Sequence, residues 1–117
     1  LKNLHIRAED DPNVNLLRHF SAAVEWVDAA LEAGGAVFVH CAMGKSRSAT
    51  LVIAYLMFKF GVGWEEGLEW VREGRGVCDP NPGFREQLGV WERMLKIGNE
   101  GGRRRVYEEW ERTRFTG

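Results

Sequence analysis

The sequence predicts an α/β domain, a small central sheet flanked by helices. Three observations predict it. Ala36-Val37-Phe38-Val39 is a short, continuous run of apolar β-formers, as a buried strand is. Ser48 to Phe60, SATLVIAYLMFKF, is apolar nearly all round, as a central buried helix is. Four other segments repeat their apolar residues at helical spacing. The 117 residues, 44% hydrophobic and 28% charged, are enough for one domain with its own core, so 1–117 is taken as a single domain.

In chain order, Leu4 to Ile6 is read as a short strand running into the acidic turn Ala8-Glu9-Asp10-Asp11-Pro12-Asn13. Leu16, Phe20, Val24, Val27 and Leu31 recur at steps of three and four, which makes Leu16 to Leu31 an amphipathic helix. Gly34-Gly35 ends it. The strand at Val37 to Val39 follows, then a loop, then the apolar helix to Phe60, stopped by Gly61-Val62-Gly63. Trp64 to Glu73 is a second amphipathic helix with Leu68 and Val71 inward. After a Gly- and Pro-containing loop, Gly83 to Ile97 carries Phe84, Leu88, Trp91 and Leu95 on one stripe. The break Gly98-Asn99-Glu100-Gly101-Gly102 precedes a charged terminal helix from Arg103 to Arg114 bearing Val106, Tyr107 and Trp110. Trp64, Trp70 and Trp91 are expected to pack in or beside the core. Two short strands cannot satisfy their own backbone groups under five helices, so N-terminal strands missing from this chain are expected to complete the sheet.

Composition narrows the function. A formal net charge of -1 excludes a globally basic nucleic-acid binder, and no direct nucleic-acid site is evident. No apolar run reaches 18 residues, so no membrane partner is expected. Two cysteines, Cys41 and Cys78, without a C-x-x-C, argue against a disulfide scaffold and against a zinc site built within this chain. A reducing intracellular setting is the expectation, and no cofactor or metal is implied. Arg103-Arg104-Arg105, followed by Glu108, Glu109 and Glu111, is read as a solvated helix face, with contact to RNA or an acidic partner as the alternative.

The chemistry concentrates in HCAMGKSRSAT, His40 to Thr50. Gly44-Lys45-Ser46 matches the end of a nucleotide-binding G-x-x-x-x-G-K-[ST] loop, but the first glycine of that pattern falls on Val39. The other reading fits everywhere: His40, Cys41, Gly44, Arg47 and Ser48 fill H-C-x-x-G-x-x-R-[ST]. At residue frequencies of a few per cent, chance gives such a match on the order of once in 100,000 chains of this length. A strand-to-helix loop turns backbone N–H groups inward and makes an anion site at a helix N-terminus. A thiol at its centre feels that field, its pKa falls, and Cys41 becomes a thiolate able to attack phosphorus. The planar fork of Arg47 can hold two phosphate oxygens while charge spreads over them. Gly44 allows close backbone approach, and Lys45 adds positive potential at the rim. The leaving oxygen also needs a proton, and the water that follows needs a base. Asp10 and Asp11, 31 and 30 positions before Cys41, are the candidates.

This loop resembles that of the cysteine-dependent protein phosphatases, and within them the dual-specificity branch. Pro80-Asn81-Pro82-Gly83-Phe84 followed by Gln87-Leu88 is similar to the P-N-x-G-F-x-x-Q-L segment of the same family. The resemblance runs from about His5 to the C-terminus. More narrowly, VFVHCAMGKSRSAT, AYLM and CDPNPGF resemble the fungal form of an atypical dual-specificity phosphatase, in which a C-terminal zinc-binding domain follows and the protein acts in assembly of the large ribosomal subunit. That zinc domain is not in this sequence. The resemblance implies a protein tyrosine/dual-specificity phosphatase-like fold and metal-independent hydrolysis of phosphoprotein through a cysteinyl-phosphate. Phosphotyrosine is the expected substrate, with phosphoserine and phosphothreonine beside it.

The same resemblance implies roles. Cys41 is the nucleophile, Arg47 the phosphate-binding arginine, and Ser48 the hydroxyl that stabilises the departing thiolate. Ala42, Met43, Gly44, Lys45, Ser46 and Arg47 form the phosphate-binding loop. His40 orders that loop, and Asn81 braces it from the helix side. Alignment of Ile6-Arg7-Ala8-Glu9-Asp10 with the family's I-P-x-x-D gives the acid role to Asp10, with Arg7 standing where the family has proline. Asp11 is read as a turn or N-cap residue. Cys78 is read as a small loop residue, with a thiol resolving an oxidised Cys41 as the alternative. Two further expectations rest on resemblance alone: a pre-ribosomal particle as partner, and a cytoplasmic and nuclear location. The alternatives in function are a docking module in which catalysis is dispensable, and a lipid or carbohydrate phosphatase on the same loop.

Overall fold

The computed structural model describes residues 13–36, 46–74 and 79–114. Among these, every element is helical: a 3₁₀ turn at Leu17–His19, then α1 (Phe20–Glu32), α2 (Arg47–Phe60), α3 (Trp64–Gly74), α4 (Pro82–Leu95) and α5 (Glu100–Thr113). The strands expected at Leu4 to Ile6 and Val37 to Val39 lie outside the described residues.

α2 is the hub. It packs against α1, α3 and α4, and α4 in turn carries α5. The core they enclose contains Leu16, Phe20, Ile53, Met57, Phe84 and Leu88, each at most 1% exposed. Burying each such side chain contributes about 1.5–3 kcal/mol. Trp91 joins three helices. Its ring meets Phe20 edge-on at 5.6 Å and 82°, and its indole N–H donates to the Ala54 carbonyl at 3.1 Å. The indole proton thereby finds a partner inside the core. Gly67 lets α3 approach α2 closely, since a Cβ there would meet Ile53 Cγ2 at 3.1 Å.

Helix ends follow local chemistry. Gly61, at φ 71°, ends α2 in the left-handed region that glycine enters without penalty. Gly34, at φ 83°, sits just past α1. The N-terminus of α3 is served from another helix: the Trp64 N–H donates to Glu92 Oε1 at 2.8 Å. At the surface, Asp28 of α1 accepts from Lys59 Nζ (3.0 Å) and Tyr55 Oη (3.2 Å) of α2. The bond from Lys59 holds the Asp28 carboxyl below the ordinary carboxylate range. Burial pushes the Tyr55 hydroxyl up.

Four expectations need correction. Leu31 is 42% exposed: it lies in the last turn of α1, whose buried residues are Phe20, Ala23 and Val24 in its first half. Trp70 is 39% exposed and packs edge-on against Phe60 at 5.8 Å on the outer surface of α2 and α3. α2 is not enclosed to its end: Phe58 and Phe60 are exposed in its last turn. α5 starts at Glu100 rather than Arg103, because Asn99 caps it by accepting from the Gly102 N–H at 2.7 Å. That cap and the acidic Glu100 in the first turn overcome two glycines.

Candidate active site

The described part of the site is where the N-termini of α2 and α4 meet. Ser46 occupies the N-cap position of α2 and is 2% exposed. Its hydroxyl does not cap its own helix. The Oγ atom instead accepts the Asn81 backbone N–H at 2.9 Å. The Ser46 carbonyl accepts twice from Thr50, from its N–H at 2.9 Å and its hydroxyl at 2.6 Å. Arg47 is therefore the first residue of a helix whose start is held on two sides, and Ser48, 4% exposed, lies in its buried first turn.

Asn81 begins α4. Its backbone is extended (φ −64°, ψ 163°), its Oδ1 accepts the Phe84 N–H at 2.8 Å, and Pro82 follows at the first helical position. Proline is suited to that place because it has no N–H to leave unsatisfied. The approach to Asn81 is tied down as well. Arg85 donates from Nε to the Pro80 carbonyl at 3.0 Å and from Nη2 to Asp79 at 2.5 Å. Arg72 of α3 lies 3.6 Å from the same carboxylate.

A second junction lies further along α4. Gln87, 1% exposed, reaches the chain just before α1. Its Oε1 accepts from the Leu16 N–H (2.8 Å) and the Leu17 N–H (2.7 Å), and its Nε2 donates to the Val14 carbonyl at 2.7 Å. From the other side Asn15 Nδ2 donates to Tyr107 Oη at 2.7 Å and to Glu111 at 3.2 Å. Arg114 donates to the Asn13 carbonyl and stacks 4.7 Å from the Trp110 ring. Burial raises the Tyr107 hydroxyl pKa, and burial, aided by Arg18, lowers that of half-buried His19.

Of the residues singled out in the sequence, the structure brings Ser46, Arg47, Ser48 and Asn81 into one corner. Asp10, Asp11, His40, Cys41, Ala42, Met43, Gly44, Lys45 and Cys78 lie outside the described residues. Sequence reasoning overlooked two things. One is Ser46 as the joint to α4. The other is what Gln87 does: it enters the sequence reading only as part of the P-N-x-G-F-x-x-Q-L segment, yet an uncharged amide on an apolar stripe, between Phe84 and Leu88, is a buried hydrogen-bonding device or a costly error.

Residues 1–94 match the family described as dual specificity phosphatase, catalytic domain. Human dual specificity protein phosphatase 22 is 44% identical over 93 residues, covering 80% of this chain and 50% of its own. Mouse dual specificity protein phosphatase 15 is 45% identical over 85 residues, covering 73% of this chain and 36% of its own. Among solved structures, the Yvh1 phosphatase domain from Chaetomium thermophilum is similar at a TM-score of 0.78 and 36% identity, over 86% of this chain and 70% of that one. The chain spans half or less of the length of these two curated relatives.

Proposed function

The chain belongs to the dual-specificity phosphatase catalytic-domain family, and from that premise we propose that it hydrolyses phosphoprotein monoesters through a cysteinyl-phosphate. The observation that carries this is the start of α2. Arg47 and Ser48 open a helix whose N-terminus is clamped to α4 by Ser46, directly after His40-Cys41-x-x-Gly44 in the sequence. A helix N-terminus favours an anion, and the sequence delivers a thiol and a guanidinium to it.

In the first step the Cys41 thiolate attacks phosphorus and an S–P bond forms. The P–O bond to the substrate breaks, and the leaving oxygen takes its proton from Asp10. In the second step Asp10, now a carboxylate, takes a proton from water. The hydroxide attacks phosphorus, the S–P bond breaks, and the thiolate departs with the Ser48 hydroxyl to stabilise it. Arg47 and the loop N–H groups hold the equatorial oxygens throughout. Asn81 holds the Ser46 end of the loop in place. Phosphotyrosine is the substrate proposed first, with phosphoserine and phosphothreonine beside it. The sheet that completes the fold is proposed with it.

The test is Cys41→Ser. Turnover of a small aryl phosphate is expected to vanish while inorganic phosphate still binds, because Arg47 and the loop N–H groups remain. Near-normal hydrolysis by that variant would sink the mechanism. Parent activity is also expected to survive a chelator, since each step uses side chains of this chain. A pre-ribosomal partner and a nuclear as well as cytoplasmic location rest on the sequence resemblance. Complementation of subunit assembly by Cys41→Ser separates a docking role from a catalytic one.

A further inference from the structure

We propose that Gln87 is a positioning residue for proton transfer: its buried amide fixes Val14 to Leu17 so that the acidic segment just upstream, with Asp10, is presented to the leaving oxygen. This rests on the phosphatase reading above. A glutamine amide has two donor hydrogens and two acceptor lone pairs. Gln87 commits three of these four to one stretch of chain, 70 to 73 residues away in sequence. Leu16 and Leu17 stand at the start of the 3₁₀ turn that leads into α1, where backbone donors lack partners within the helix. Gln87 therefore acts as a cap supplied from another helix. It closes a turn in which the Leu16 N–H also reaches the Val14 carbonyl at 3.1 Å.

The position of the amide on α4 gives this more than structural meaning. Phe84 and Leu88, its neighbours on the same face, are fully buried, and an apolar side chain at 87 would satisfy packing alone. At its start the same helix is bonded to the phosphate-loop end through Asn81 and Ser46. Six residues separate Asn81 from Gln87, a rise of about 9 Å along the helix axis. α4 is thus a rigid spacer. One end fixes where the phosphate loop enters α2, and the other fixes where the chain from the acid segment enters α1. Asp10 is four positions before Val14 in the sequence, a length of chain that spans at most about 14 Å when fully extended. Proton transfer requires the acid within hydrogen-bond reach of the leaving oxygen, so freedom at the anchor is felt at the carboxyl.

The experiment compares Gln87→Leu and Gln87→Glu with the parent. The first removes all three bonds. The second keeps both accepting contacts and sets a carboxylate against the Val14 carbonyl. Each is assayed on a phosphotyrosine peptide, whose leaving group needs a proton, and on an activated fluorinated aryl phosphate, whose leaving group does not. Loss of kcat/KM on the peptide is expected to be about 10–100-fold, within the span general acid catalysis supplies, and on the aryl ester no more than about threefold. Iodoacetate should label Cys41 at the parent rate. In an Asp10→Asn background the Gln87 changes should add no more than about twofold, since both act on one step.

Equal loss on the two substrates, slowed labelling, or losses that multiply with Asp10→Asn would each overturn the positioning role and leave Gln87 a structural residue. Should Gln87→Leu fail to fold, Gln87→Glu carries the comparison. A parent protein whose turnover does not depend on Cys41 would overturn the phosphatase reading and this proposal with it. That failure shows in the parent, whereas failure of the positioning role shows only in the Gln87 variants.

Discussion

The Ser46 hydroxyl accepts the Asn81 N–H within a nearly closed corner. Ser46→Ala leaves that N–H without its acceptor. The expected cost is about 1 kcal/mol in denaturant unfolding, with weaker binding of inorganic phosphate because the loop end loses its tie to α4. Unchanged phosphate affinity would show that α4 does not set the loop. His19 makes a residue-scale prediction in pH. Its folded pKa lies below the ordinary 6.5, chiefly through burial. Between the two values the unfolded chain holds a proton that the folded chain does not, so acidification favours unfolding. The loss begins as pH falls through 6.5 and stops once His19 is protonated in the folded state too. His19→Gln should flatten that part of the stability profile in chemical unfolding. The sequence reading names Asn81 only as a brace of the loop, with the helix expected from Gly83; it is the N-cap of α4 with Pro82 at the first helical position, a local signal that reading did not use. Leu31 and Trp70 were misplaced because periodicity tells which face is apolar but not where the neighbouring helix ends.

At the scale of elements, all five helices were legible, since four carry a repeated stripe, α2 is apolar nearly all round, and each has a glycine or capping residue at one end. One start moved because a side-chain cap decided it: Asn99 pulls α5 back over two glycines. α3 starts at the Trp64 its stripe marked, and there Glu92 of α4 serves it. Neither bond has a sequence periodicity. Gly61 was legible as a stop, and its φ of 71° gives the reason. Nothing lies within 4 Å of a Cβ built there, so the penalty for a side chain is purely one of backbone conformation. Gly61→Ala is expected to cost about 1 kcal/mol, read as a lower unfolding midpoint with unaltered catalysis. A larger loss would mean that the turn after α2 is set by more than one residue's backbone.

At the scale of the whole molecule, the family match ends at residue 94, and α5 lies beyond it. The sheet was inferred from an apolar run that falls outside the described residues, while the helical layer around α2 follows from stripes that could be read directly. α5 could be anticipated as a helix, but not as a strap, because its partners are about 90 to 100 residues away in sequence. Trp110, 8% exposed, is its anchor in the core, with Val106 and Tyr107 packed beside it. Its polar side holds Asn13 and Asn15, on the same stretch that Gln87 holds from within. The two attachments can be separated. Trp110→Ala removes the apolar anchor and is expected to cost about 3 kcal/mol, the lower end for a buried tryptophan, since this one lies at the rim. Tyr107→Phe keeps the packing and removes only the hydroxyl that Asn15 bonds, at a cost of about 1 kcal/mol. If α5 supports the acid segment as well as the core, the phosphotyrosine-peptide rate should fall in the tyrosine variant more than the activated aryl phosphate rate does. If α5 only covers α4, the two rates should track each other in both variants. Differential scanning calorimetry beside the paired assays decides between these, because stability and proton transfer are then read on the same protein.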